Sequence, residues 1–117
     1  MIAGQGYPDR MGLEDDAQLR LSLQRALLTN VTPELRSVSA DIDINRRIIS
    51  LRFVFARPPS DSERDAASSA ATEVIADYPD GWFVKEEYPV VPVGELMPQR
   101  RLVVYHRCED SWVSPDM

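Results

Sequence analysis

The sequence predicts an α+β fold: a two-layer sandwich in which a mostly antiparallel four-stranded sheet carries two helices on one face. Three observations point there. Apolar residues recur at helical spacing in two separate segments, and two alternating segments between them read as a hairpin. Two more strand-like runs follow the second helix, so the order of elements is α-β-β-α-β-β.

The first helix is expected from Leu13 to Asn30. Leu19, Leu23, Ala26 and Leu27 make its core stripe, and the acidic run Glu14-Asp15-Asp16 suits the positive end of a helix dipole. Asn30 fits a left-handed terminator, with Pro33 close behind. Next, Val38, Ala40, Ile42 and Ile44 alternate with Ser39, Asp41 and Asp43, the period of a half-buried strand. A two-residue turn at Asn45-Arg46 pairs Ile42 with Ile49, Ala40 with Leu51 and Val38 with Phe53. It also sets Asp41 against Ser50 and Ser39 against Arg52. A one-residue slip would mix the apolar and polar faces, which strongly specifies this register.

Ser60 and Glu63 form a capping-box pattern that opens the second helix. Its inner side is thin: Ala66, Ala67, Ala70 and Ala71, with Val74, Ile75 and Tyr78 further on. Small side chains there imply a helix backbone lying close to the sheet. Pro79-Asp80-Gly81 is a turn. "WFVKEEYPVV" and "RRLVVYHR" are the last strands, and Pro89, Pro92 and Pro98 shorten the first of them or place it at an edge. Residues 1–12 are expected to be a loose arm, 13–108 a single domain and 109–117 an irregular tail.

At 117 residues, with 44% hydrophobic and 27% charged content, the chain has the composition of a soluble globular domain. Its net charge of −6 disfavours nucleic acid and anionic membrane and favours a basic partner. Cys108 is the single cysteine, so no intrachain disulfide forms and a cytoplasmic location is the simpler expectation. No apolar run approaches the roughly 20 residues that span a bilayer, and "MIAGQGYPDR" lacks the pattern of a secretory signal.

No catalytic, cofactor or metal signature emerges. His106 and Cys108 lie two apart, but a nucleophilic site needs closer pairing and a cleft, and a zinc site needs further ligands. Carboxylates are plentiful without unequal environments that would mark an acid and a base. The residues assigned to partner binding are therefore surface groups: Asp41, Asp43, Glu73, Asp77, Asp80, Glu86 and Glu87, whose bland alternative is a solvated charge. Trp82, beside Gly81, suits an interface anchor and a cap on the core equally well.

"ALLTNVTPELRSVSADID", then "ISLRFVFARPPSDSERDAASSAATEVIADYPD" and the closing "RLVVYHR", resembles a family of small immunity proteins. These are encoded beside the toxins of contact-dependent growth inhibition systems in Gram-negative bacteria. The resemblance runs from about Leu19 to Arg107 in the same order of elements. It implies a cytoplasmic, non-enzymatic inhibitor that needs no cofactor. The inhibitor would occlude the active site or substrate path of a cognate toxin's C-terminal domain, a basic nuclease by expectation, and would act as a monomer or weak homodimer. Its rivals are a structural or interaction module, such as a homodimeric adaptor, and a small hydrolase using His106 or a carboxylate.

Overall fold

The computed structural model describes residues 7–109, with side chains from Glu14 onward. Its elements are α1 (Tyr7–Leu27), β1 (Leu35–Asp43), β2 (Ile48–Phe55), α2 (Asp61–Ala76), β3 (Phe83–Glu87) and β4 (Leu102–His106). The architecture is α+β, with the strands in the order β3-β2-β1-β4. The sheet is mixed, which corrects the expectation of a mostly antiparallel one. β1 pairs antiparallel with β2 and β4, but β3 runs parallel to β2. The physical reason is α2: a helical crossover carries the chain back to the end where β2 began, so the next strand repeats its direction.

Both helices share one face of the sheet. Leu19, Leu23, Ala26 and Leu27 of α1 form one buried cluster with Val38, Ala40, Ile49, Leu51, Phe53 and Phe55 of the hairpin. Ala67, Ala70, Ala71 and Val74 complete it from α2, each at most 3% exposed, where α2 lies against α1, β2 and β3. The expected close approach to the sheet is only part of what the alanines do, because α2 packs mainly against α1 and less against β2 and β3. Tyr78 and Trp82 close the cluster's end, ring centres 5.0 Å apart.

Several boundaries differ from the sequence reading. Residues 1–6 and 110–117 lie outside the described residues, and α1 begins at Tyr7 rather than Leu13. Pro8 fits there because the first helical turn needs no N–H. Glu14, Asp15 and Asp16 consequently stand inside the helix, away from its positive end, and Asp16 instead holds Arg101 through two hydrogen bonds of 2.7 and 2.9 Å. The helix stops at Leu27, and Asn30 is not left-handed; its side-chain amide caps the Ala26 carbonyl at 2.8 Å. The hairpin register is the predicted one throughout, but its loop spans Ile44–Arg47 rather than two residues. Asp43 accepts a hydrogen bond from the Arg46 N–H at 3.0 Å, and Arg47 takes the left-handed conformation with φ 60°. The capping box of α2 forms as expected.

A bulge between Leu35 and Ser37 breaks the alternation of β1. The extra residue lets Leu35 and Val38 both face the helices while Arg36 and Ser37 both turn to the opposite face. That opposite face is not open. Ser37, Ser39 and Val54 are fully buried on it, and Val54 lies outside the main core cluster. What covers them is the segment between β3 and β4.

Candidate partner-binding surface

The covering segment runs from Tyr88 to Arg101 and is tied down along its length. It starts as a continuation of the sheet: the Phe55 N–H donates to Pro89 O at 3.0 Å and the Val91 N–H to Phe55 O at 2.9 Å. A turn follows, closed by the Glu95 N–H on Pro92 O at 3.1 Å, with Gly94 at φ 98° as left-handed geometry requires. Further on, Arg52 Nη1 donates to Pro98 O at 2.9 Å and the Arg100 N–H donates to Ser39 Oγ at 2.8 Å.

Beneath the turn sits Arg36, whose side chain is 3% exposed. Its Nη1 donates to the carbonyls of Val91, Pro92 and Glu95 at 2.8, 3.0 and 3.3 Å. Its Nε and Nη2 grip the Glu109 carboxylate at 2.7 and 2.8 Å, a two-pronged pair as buried as Arg36 itself. Arg107 adds a third donor to Glu109 at 3.1 Å. These hydrogen bonds, Arg36 first, hold the Glu109 carboxyl down at about 2 against the opposing effect of burial. Sequence reasoning missed both residues. The one available signal was Leu35, which is out of phase with Val38, Ala40 and Ile42.

Beside this pair is a cavity of about 250 Å³, lined by the turn residues, Arg36, Glu109 and His106. His106 Nδ1 lies 2.9 Å from the Arg107 carbonyl, and Cys108 is exposed beyond the end of β4. A carboxylate saturated by three N–H donors and held near 2 is a poor proton acceptor at neutral pH. The cavity therefore brings the His106 imidazole beside a carboxylate that is engaged by two arginines.

The acidic residues singled out from the sequence fall into separate groups. On the sheet's outer face, Arg100 bridges Asp41 at 3.1 Å and Glu87 at 2.8 Å. Arg52 also pairs with Glu87 at 2.9 Å, and Arg101 lies 3.6 Å from Asp41. Hydrogen bonds from Arg52 and Arg100 hold Glu87 below its ordinary carboxyl value. Asp43 is exposed at the hairpin end, where Arg46 answers it. Across the molecule, Asp77 follows α2 and ties it to α1. Ser22 Oγ donates to it at 2.6 Å and Arg25 at 3.0 Å, and both bonds lower its pKa, Ser22's the more.

Glu73 is exposed on α2, with the Asn30 amide at 3.3 Å, and Asp80 is exposed in the following turn. Glu86 is half-buried and accepts a hydrogen bond from Tyr88. Among the described residues, Glu73, Asp80 and Glu86 make no ion pair. Trp82 is half-buried against Tyr78 and the core. The structure thus joins Asp41 and Glu87 through arginines and keeps the other six apart from them.

Exposed apolar side chains offer a second kind of surface. Leu96 is 97% exposed, Val93 53% and Val90 42%, all on the covering segment. Leu28 (81%), Leu21 (53%) and Val31 (40%) lie on and after α1.

These features define a small α+β domain, with no described helix long and apolar enough to cross a membrane and no described cluster of metal-ligating side chains. Comparison of the sequence with known families then places it further. The chain belongs to the MafI2 immunity protein family, whose sequence pattern matches residues 16–109. The match takes in all but the start of α1, every other element, and the Arg36–Glu109 pair. A comparison with curated proteins gives no match.

Proposed function

We propose that this protein is a non-enzymatic immunity protein that binds a cognate toxin domain in the cytoplasm and blocks its active site or substrate path. The observation that carries the reading is membership of the MafI2 family across residues 16–109. The surface supports it, because its apparatus is suited to docking: a braced sheet face, a pinned loop with outward apolar side chains, and a carboxylate beside His106 that is engaged by arginines. The toxin is expected to be a nuclease delivered by contact between cells, and its phosphate-binding surface would be basic. An acidic inhibitor of net charge −6 is attracted to such a surface, which speeds encounter and disfavours wrong partners. Asp41, Asp43, Glu73, Asp77, Asp80, Glu86 and Glu87 would contribute to this long-range field, and Trp82 would supply an aromatic contact.

The test is rescue. The toxin domain encoded beside this gene should arrest growth when expressed alone, and co-expression of this protein should restore it. Growth that stays arrested despite soluble immunity protein would refute the reading. Replacing His106 and Cys108 together by alanine should leave protection intact, since occlusion requires no nucleophile. Lost protection in a folded double variant would instead favour hydrolytic chemistry.

A further inference from the structure

We infer that the turn from Pro92 to Met97 is the anchor of the toxin contact, with Leu96 as its central side chain and the exposed Glu95 beside it. This rests on the immunity reading above and names the part of the surface that carries it. The partner it fits is a toxin domain presenting an apolar depression edged by a basic group.

The first argument is exposure. A leucine 97% open to water on a soluble domain gains nothing for its own fold, and Val93, across the same turn, is 53% exposed. Burying such side chains against a partner removes apolar surface from water, which favours association. The second is rigidity. The turn borders a cavity of about 250 Å³ whose other walls include Arg36, His106 and Glu109. Its backbone is held from below by Arg36 on three carbonyls and closed by its own hydrogen bond from the Glu95 N–H to Pro92 O. A buried arginine–glutamate pair is an expensive way to stabilise a fold, because two charges lose their water. Here it determines the conformation of a loop that leaves Val93, Glu95 and Leu96 exposed. A loop ordered beforehand loses little freedom on binding, so more of its contact energy appears as affinity.

The third argument is charge. Between Tyr88 and Arg100 the only charged residue is Glu95, and its side chain is exposed in a chain of net charge −6. An apolar tip with a single carboxylate is complementary to an apolar pocket with a basic rim.

The experiment measures binding of the adjacent-gene toxin domain, catalytically inactivated, to wild type, Leu96→Ser, Glu95→Gln and Leu28→Ser. Leu96 and Leu28 are so exposed that neither change should alter the melting temperature. Leu96→Ser should weaken binding by about 30-fold or more, mostly through faster dissociation. Glu95→Gln should slow association and reduce its dependence on salt. Leu28→Ser, on the separate apolar patch at the end of α1, should bind within about threefold of wild type. If wild type binds and protects but Leu96→Ser binds equally well, the loop assignment is overturned and the immunity reading stands. A loss confined to Leu28→Ser overturns it in favour of the α1 patch. If wild type itself neither binds nor protects, both readings fall together.

Discussion

At the scale of single residues, the most consequential group is one that falls outside every sequence pattern. Glu109 has its carboxyl held at about 2, below its ordinary 4.5, so it is more acidic folded than unfolded. Its ion pair therefore stabilises fully at neutral pH, and that contribution is lost as pH falls from about 4.5 through about 2. A shift of that size corresponds to roughly 3 kcal/mol. Glu109→Gln should therefore lose on the order of 3 kcal/mol in urea unfolding at pH 7, because Arg36 is left buried without its counter-charge. The deficit should shrink below about pH 4.5 and all but vanish at about pH 2. An equal deficit at both pH values would mean that the charge contributes nothing. The pair was illegible in the sequence because its members stand 73 positions apart. Only a bulge, which breaks periodicity locally, points Arg36 at its partner.

At the scale of elements, the hairpin and α2 were readable because each has a face that must be buried. The register of β1 on β2 follows from sorting apolar from polar residues, and the loop length does not enter that sorting. The four-residue turn was missed for the same reason. Strand direction is likewise invisible to periodicity, since a strand alternates identically whether it runs parallel or antiparallel to its neighbour. The alanine face of α2 carries its own prediction. Ala71 is fully buried where α2 meets the rest of the core, so Ala71→Leu should cost about 1–3 kcal/mol by overpacking. Ser69→Ala, on the exposed side of the same helix, should stay within about 0.5 kcal/mol. Thermal or chemical denaturation distinguishes them, and equal effects would mean the helix is not in close contact.

At the scale of the whole molecule, net charge overstates the acidic surface available to a partner. Asp41, Asp43, Asp77 and Glu87 are each answered by at least one arginine. The uncompensated charge is spread over α2 and the turns, where Glu73 and Asp80 are exposed. If the toxin is basic, as proposed, attraction to it should act over distance more than at contact. Raising ionic strength from about 0.01 M to about 0.15 M shortens the screening length from ~30 to ~8 Å. Association should slow several-fold over that range, while dissociation changes by less than about twofold. Stopped-flow or surface-binding kinetics would show it, and a salt-independent association rate would make the acidity incidental. The acidic composition was plain from the sequence; which carboxylates are already matched was not, because most of their arginines arrive from distant elements, Arg46 beside Asp43 being the exception.

Arg36 grips main-chain oxygens, and an oxygen of the backbone is the same whatever residue bears it. The shape of the 92–97 turn is thereby uncoupled from the identity of the side chains it displays, Gly94 and Pro92 excepted. Such a platform can change its lettering without being rebuilt. A lineage facing a new adversary could rewrite positions 93, 95 and 96 while inheriting the same scaffold intact.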